Sequence, residues 1–595
     1  MTPGSTRSHP QSARPTESSQ HGPSRALLDR FLGAGPRVPR VLGALTYVIG
    51  LLDILTGTLH TWRVRLHQVT EVLPGALTDA AAAAAVVSGI LLILLAHSLR
   101  RRKKRAWRAA VALMTLSVVF HALPSHTPRH EPLAFVLSIV VLVLLLVYRR
   151  EFYALGDPST RLRAVWVFVL LLLTSLVVGV VTLWANSRAI VGGWPGVGAA
   201  TWYVLQGMVG VQGDLPFWGV RERISDVLGA LTFGLGLMTA LTTAYLALRS
   251  PGRRAVLSAD DDERVRRLLA AYPDSLGYFT TRRDKAVIWS ESGKAGIGYR
   301  VVAGVMLASG DPIGDPEAWP GAIKAFLTEA DLHGWTPAVL GCSEAAGTAW
   351  TRETGFAALE LGDEAIVDAT AFSLAGRPMR NVRQMVNRIR RQGYETAVFR
   401  AGEAPSEQRA RAVADAAAWR GSATERGFSM ASGRVLDEAD PEAVIVTASK
   451  DGVVRGFLQF VPWGPDGMSL DVMRRDRDAD PGVNELLIVD ALTHAPELGI
   501  TRVSLNFAMF RSVLERGERL GAGPVLRAWR GLLVFLSRWF QIESLYRFNA
   551  KFQPEWFPRY IVYPTSRSLV RVGVAMGVAE AFIVWPRLRW FGHRA

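Results

Sequence analysis

The chain has 595 residues, more than one ordinary domain holds, and most of its long apolar runs fall within the first ~250 residues. A single cysteine, Cys342, excludes an intramolecular disulfide and a cysteine-built zinc cluster. Lys and Arg number 68 against 52 Asp and Glu, and the net charge of +16 points to an anionic partner, either a membrane surface or a nucleic acid. Arginines that flank membrane helices account for part of that excess.

Residues 1–24 are rich in Ser, Pro, His and Arg and lack an apolar core, so they do not form a secretory signal peptide. A disordered cytoplasmic tail over 1–37 is expected. A spanning helix needs about 20 mostly apolar residues. Six segments are candidates within 38–250: Val41–Leu59, Leu77–Ala96, Trp107–Leu123, Leu133–Tyr148, Ala164–Ala185 and Val227–Ala247, the third and fourth of them short, while the glycine-rich Ile190–Gly213 fits an external loop or a re-entrant piece. Basic residues cluster at Arg100–Arg105, at Arg149, Arg150, Arg161 and Arg163, and at Arg249, Arg253 and Arg254. With six spans all three clusters share one side, which predicts a multi-pass cell-membrane protein whose termini and soluble domain are cytoplasmic. Asp53, inside the first span, is an intramembrane carboxylate with two readings, a functional group or a partner for Arg63, Arg65 or lipid headgroups. Trp62, Trp107, Trp166 and Trp184 sit where interfacial anchors belong.

From Ser258 onward the periodicity is that of an α+β sequence. Asp260–Tyr272 predicts a helix, Lys285–Trp289 and Gly298–Ala308 strands, Trp319–His333 a helix, Ala338–Leu340 a buried strand and Glu344–Glu353 a helix. A comparable order recurs: helix Pro405–Trp419, strands Ala443–Ser449, Gly456–Pro462 and Met468–Met473, helix Asn484–Leu498, strand Arg502–Asn506. Two similar α+β units, 258–400 and 401–595, are the simplest architecture.

The densest polar constellation runs from Asp471 to Tyr560. Asp471 and Met473 share one face of a strand, with Arg474 at its end. Pro481–Glu485 opens a helix whose backbone N–H groups suit an anion; Asn484 there also suits a cap. Ser504–Arg511 ends a strand with polar groups, Asn506 and Arg511 among them. In Leu545–Trp556, basic Arg547 and Lys551 are interleaved with aromatics, a pattern that suits an RNA 3′ end or a lipid interface. Asp471 and Arg474 also fit a local ion pair, and Arg547 and Lys551 one solvated helical face. The basic run Arg380–Arg391 is either a solvated face or a stripe facing RNA or membrane. No histidine pair has zinc-ligand spacing, and no phosphate-binding glycine loop stands between a strand and a helix.

Several stretches together resemble the aminoacyl-transferase domain of the lysylphosphatidylglycerol synthetase (MprF) family, particularly the transferase region of its mycobacterial LysX type. They are Leu307–Pro316, Gly362–Ala365, Met379–Gln384, Glu425–Met430, Leu470–Arg475, Ser504–Arg511, Gly521–Pro524 and Leu545–Tyr560. The resemblance implies two tandem acetyltransferase-like (GNAT-like) folds behind a bundle of about six spans. It implies transfer of an aminoacyl group, lysyl by default, from aminoacyl-tRNA to phosphatidylglycerol or a related glycerolipid, which alters membrane charge and resistance to antimicrobial peptides. It places Asp471 and Arg474 in the active site and Lys551 near the terminal phosphates of tRNA, with Glu485, Asn506, Arg511 and Arg547 as substrate-binding candidates. No cofactor or metal is implied, because an aminoacyl ester is already activated. The flippase spans of full-length members and the lysyl-tRNA synthetase domain of the LysX type have no counterpart in this sequence, so a separate aminoacyl-tRNA synthetase is the expected supplier. The competing readings are an acyl-CoA-dependent membrane acyltransferase and a non-enzymatic transporter or flippase with a regulatory domain.

Overall fold

The computed structural model describes residues 38–51, 90–122, 132–154, 159–210, 215–217, 222–248, 256–421, 427–509 and 542–583, apart from positions 40, 97, 101 and 153. The expected tail, Asp53, most of the second expected span, Arg511 and residues 584–595 lie outside them. The chain forms two compact units, Met1–Arg249 and Ser250–Ala595, and each is described by itself.

The first unit is helical. Its described helices include Lys104–Ala122, Pro132–Val147, Ser159–Ala185, Val197–Val209 and Glu222–Leu248. Of the six expected spans, one is matched among the described residues by a helix long and apolar enough to cross a membrane, Val165–Ala185. Val41–Leu51, Val136–Val147 and Leu228–Ala244 are apolar but shorter. A 16-residue helix such as Pro132–Val147 rises only about 24 Å, less than the ~30 Å hydrocarbon layer. Val165, Trp166, Leu173, Val177, Val181 and Trp184 are each more than half exposed, an apolar face suited to hydrocarbon rather than water. Glycines set the close helix approaches here. A Cβ at Gly207 would meet Thr232 Oγ1 at 2.3 Å, and one at Gly236 would meet the Met208 carbonyl at 2.1 Å. Small residues serve helix packing in this way within membranes.

The second unit is built on a mixed twelve-stranded sheet. Its strands are β1 (Ala286–Trp289), β2 (Ala295–Val302), β3 (Val305–Ser309), β4 (Ile313–Gly314), β5 (Thr336–Cys342), β6 (Ala357–Asp368), β7 (Tyr394–Arg400), β8 (Val444–Lys450), β9 (Val453–Trp463), β10 (Gly467–Arg475), β11 (Arg502–Met509) and β12 (Glu555–Tyr563). The helices are α1 (Ala259–Ala271), α2 (Trp319–His333), α3 (Glu344–Thr354), α4 (Arg380–Arg391), α5 (Ser406–Arg420), α6 (Val483–His494), α7 (Ile542–Ala550) and α8 (Ser566–Ala579). Local chemistry sets several ends. The Ser258 hydroxyl accepts from Asp261 N–H and caps α1, Ser343 caps α3 in the same way, and Gly334 and Gly355 end α2 and α3 in the left-handed region.

The spatial order β1-β2-β3-β5-β12-β6-β11-β10-β9-β8-β7, with β4 on β2, interlocks the two halves of the sequence. Among the described strands the parallel pairs are β3–β5 and β10–β11; each encloses a crossover helix, α2 or α6, as parallel pairing requires. Strands cross between the halves: β6 pairs with β11, β7 with β8, and β12 with β5. One core packs β8–β11 against α4 and α6, through Val386, Val446, Leu458, Leu486 and Val503. Two more cover opposite sides of β2, β3 and β5: Phe279, Leu307, Leu340 and Val572 in one, Tyr299, Met306, Phe326 and Trp350 in the other.

Candidate active site

The parallel pair β10–β11 opens like a wedge. Pairing runs Gly467↔Arg502, Met468↔Val503 and Ser469↔Ser504, and stops there, although β10 continues to Arg475 and β11 to Met509. Both strands are irregular where they part. β10 shifts register against β9 between Leu470 and Val472, and β11 shifts against β6 between Ser504 and Phe507. Asp471 is the extra residue of the first irregularity and Asn506, at φ +70°, belongs to the second. Such bulges re-aim side chains beside functional sites.

Asp471 is held by three donors. Ser432 supplies its backbone N–H (2.7 Å) and its hydroxyl (2.5 Å), and Gln459 its amide nitrogen (2.7 Å). Burial outweighs these donors and pushes the carboxyl up to about 6. Ser432 comes from the loop 427–432, which is clamped from outside the wedge. The Glu580 carboxylate accepts from Phe428 N (2.6 Å), Ser429 N (2.9 Å) and Ser429 Oγ (2.5 Å), while Arg282 donates to the carbonyls of Gly427 (3.0 Å) and Ala431 (3.3 Å). Buried Asn506 ties the two lips together: its amide donates to Met430 O (2.8 Å) and to Leu470 O (3.0 Å), the residue before Asp471.

Across the sheet from Asp471 and Val472 lies the α6 side. Lys551, just past α7, donates to Glu485 in the first turn of α6 at 2.7 Å, and Asn549 of α7 donates to Leu505 O of β11. The structure thus brings Lys551 and Glu485 together and sets Asn506 beside Asp471. Arg474 donates instead to the Ala416 carbonyl of α5 at 3.1 Å, because two strand positions beyond the bulge its side chain follows Val472, which packs with Ala416 and Phe457. Arg547 is exposed on α7.

A second polar centre lies at the closed end of the wedge, and sequence reasoning missed it. Arg559, in the middle of β12 and 4% exposed, donates through Nε to Glu364 of β6 at 2.9 Å and through another nitrogen to Ser275 Oγ at 2.6 Å. Glu364 also accepts from Ser504 Oγ (2.5 Å) and Ser275 Oγ (3.0 Å), and Ser469 Oγ donates to Ser275 O. Ser469 and Ser504 are the last paired residues before the strands part, so this centre adjoins Asp471 and Asn506. Asp274 and Asp311 complete it, each with an oxygen 3.9 Å from Arg559. Asp311 accepts from both N–H and hydroxyl of Ser343 (2.6 and 2.5 Å).

Three carboxylates therefore face one guanidinium. Among the described residues, Arg559 retains an NH1 nitrogen without a hydrogen-bond partner, and Asp274 a buried Oδ2 likewise. Burial, then the Asp311 carboxylate, pushes Asp274 up to about 7. The arrangement can take a cation beside the carboxylates and a carbonyl or oxyanion at the free N–H edge. The only trace of it in the sequence is that Asp311, Glu364, Ser504 and Arg559 fall within or beside four of the stretches that carry the resemblance. No group of three or more His, Cys, Asp or Glu side chains is arranged to hold a metal ion among the described residues.

Residues 266–563 match the family described as phosphatidylglycerol lysyltransferase, C-terminal, and residues 35–194 match the transmembrane region of lysyl-tRNA synthetase. The lysylphosphatidylglycerol biosynthesis bifunctional protein LysX of Rhodococcus opacus is 44% identical over 490 residues, which cover 81% of this chain and 43% of that protein. Its Mycobacterium avium counterpart is 45% identical over 464 residues, 77% of this chain and 38% of that one. The chain thus spans about two fifths of the length of these relatives. Among solved structures, L-PGS from Bacillus licheniformis aligns at 24% identity over 53% of this chain and 96% of its own, with a TM-score of 0.45. A DUF2156 C-terminal domain from Agrobacterium fabrum aligns at 25% identity over 54% and 96%, with a TM-score of 0.46.

Proposed function

The chain belongs to the phosphatidylglycerol lysyltransferase C-terminal family, and on that premise we propose that it transfers an aminoacyl group, lysyl first, from aminoacyl-tRNA to phosphatidylglycerol at the cytoplasmic face of the membrane. We read the second unit as two GNAT-like halves and the first as a multi-pass bundle of about six spans. The arginine clusters at 100–105, 149–163 and 249–254 support its orientation, and they hold anionic lipid near the membrane surface.

One observation carries the choice of substrate: the buried excess of carboxylates around Arg559. With all three ionised the centre carries two surplus negative charges, which an amino acid's ammonium group neutralises. The free N–H edge of Arg559 then lies ready for the ester carbonyl and for the negative charge that develops on its oxygen. Asp471 acts as the base. Its carboxyl, at about 6, is mostly ionised at neutral pH and still basic enough to take a proton.

The lipid hydroxyl oxygen bonds to the acyl carbon and the bond from that carbon to the tRNA ribose oxygen breaks. The hydroxyl proton passes by way of Asp471 to the departing ribose oxygen. The ester is already activated, so positioning and charge stabilisation suffice. Arg474 and Lys551 are read as phosphate-holding groups at the rim, Glu485 as the residue that orients Lys551, and Asn506 as the brace that keeps the wedge open.

The test is an assay in phosphatidylglycerol vesicles with tRNA charged separately with labelled lysine and alanine. Labelled lipid is expected from lysyl-tRNA and is abolished by RNase. Product that forms from acyl-CoA and survives RNase, or no labelled lipid from any charged tRNA, overturns the reading.

A further inference from the structure

The segment 369–394 contains six arginines and no acidic residue. Its core is α4, five of whose twelve residues are arginine. The apolar face of α4 is spent inside the protein, where Val382, Val386 and Ile389 are buried in the core shared with α6. The opposite face is basic, with Arg380, Arg388, Arg390 and Arg391 exposed, and Arg377 is exposed just before the helix. Arg390 is paired with Asp490 and Arg388 rests on the Pro481 carbonyl. Among the described residues, Arg391 reaches only a carbonyl of its own helix, that of Asn387. Arg377 and Arg380 have no ion-pair partner among the described residues.

α4 adjoins the start of α6. α4 packs so closely on the start of α6 that a Cβ at Gly482 would lie 2.7 Å from Met385 Sδ and 3.1 Å from Ile389 Cγ1. Gly482, at φ +115°, admits that approach. Three residues on, Glu485 holds Lys551. Arg388, on the flank of α4, reaches the Pro481 carbonyl at the same junction, so a polyanion gripped by α4 lies beside the helix whose first turn holds Lys551.

An interfacial helix inserts an apolar face into lipid, and α4 has none to offer: the exposed large hydrophobics include no residue between Leu359 and Val413. α8 differs, with Val570 78% and Val574 41% exposed. Arginine without apolar neighbours suits regularly spaced phosphates, which it grips in a planar fork.

We propose that the exposed arginine face of α4, through Arg380 and Arg391 with Arg377 just before the helix, docks the phosphate backbone of the tRNA acceptor arm and guides its charged end past Lys551 into the β10–β11 wedge. The proposal rests on aminoacyl-tRNA being the donor. It explains how a narrow wedge selects a large donor: most of the grip lies outside the wedge, on shape and charge.

The test uses the full chain in phosphatidylglycerol-containing nanodiscs and an uncharged tRNA transcript. The double variant Arg380→Glu/Arg391→Glu weakens tRNA binding at least about tenfold at low salt, and flattens the slope of log affinity on log salt by about two. Arg380→Lys/Arg391→Lys keeps most of the affinity. In transfer assays KM for the charged tRNA rises in the reversed variant while kcat at saturation holds. Should the double variant fail to fold, Arg377→Glu, outside the helix, shows the same direction at smaller amplitude. If wild-type transfer is tRNA-dependent and a folded reversal variant binds tRNA unchanged, the docking face is overturned and the donor stands. If the reversal instead costs binding to anionic vesicles with tRNA affinity intact, the face belongs to the lipid. If the wild type neither binds tRNA nor makes RNase-sensitive lipid, both readings fall.

Discussion

Two buried arginines, Arg434 and Arg559, organise the second unit in opposite ways. Arg434 is fully engaged. It donates to both oxygens of Asp440 (2.9 and 3.1 Å), to Thr281 O (2.6 Å) and to Thr281 Oγ1 (2.9 Å). Asp440 in turn accepts from Tyr278 (2.7 Å) and Arg266 (2.8 Å). Two guanidiniums share that carboxylate, which lies below the usual carboxylate range although burial opposes it. Around Arg559 the ratio is reversed: one guanidinium, three carboxylates, an N–H without a partner and a carboxyl driven up to about 7. The first centre is closed and pins residues 266–281 to 434–440. The second is incomplete among the described residues, as the proposed receptacle for a charged ligand requires.

The largest effect that tests this contrast belongs to Asp471, which sits between the two. Asp471→Asn keeps size and the acceptor for Ser432 N–H, but turns an NH2 group toward the Ser432 hydroxyl and the Gln459 amide nitrogen and removes the proposed base; transfer should fall by roughly 10²–10⁴-fold, with circular dichroism checking that the variant is folded. With Asp471 as the proposed base, wild-type kcat/KM should rise with pH through about 6. A pH-independent rate between 5 and 7 would remove Asp471 from the base role.

Next come the arginine centres themselves. Asp440→Ala leaves Arg434 buried and unpaired, and a cost of about 3–5 kcal/mol is expected in chemical denaturation. What remains folded should keep its preference for lysyl over alanyl donors. Asp311→Asn should do the reverse. It removes one of the surplus charges while leaving an acceptor for Ser343, so stability changes by under about 1 kcal/mol. The preference for lysyl-tRNA over alanyl-tRNA should fall about tenfold. Equal loss of preference in both variants would dissolve the distinction between clamp and receptacle.

How much of this was legible depends on where polar residues fall. α2 was readable to its ends, and β8, β9 and β10 to within a few residues, because their apolar periodicity is regular. Asp471 stood out through its motif. β6 and β12 were not legible as strands. β6 carries Asp363 and Glu364 at its centre, both buried, and β12 carries Pro558 opposite Asp363, where a central strand normally excludes proline. These two strands exchange between the halves and bring Glu364 to Arg559, so the local rules failed where the second centre is built. Ser432 and Gln459, the partners of Asp471, were equally hidden, since only the folded loop 427–432 and strand β9 bring them within hydrogen-bonding distance.

The smallest effect is the sharpest test of incompleteness. Asp274 has its folded carboxyl raised from 3.8 to about 7. Between those values the folded protein holds a proton that the unfolded chain has released, so stability falls as pH rises across that window and stays reduced above about 7. Asp274→Asn removes this penalty. At pH 8 the variant should be more stable than the wild type by an amount on the order of 1 kcal/mol, far below the full equivalent of the shift, because nearby charges and solvent relax around the ionised form. At pH 4 the two should coincide. Asp440→Asn should show the opposite sign, most destabilising above the ordinary carboxyl range and converging with the wild type as pH falls through the lowered Asp440 value. If Asp274→Asn destabilises at pH 8 as well, Asp274 is a satisfied structural carboxylate, and the centre around Arg559 is closed like that around Arg434.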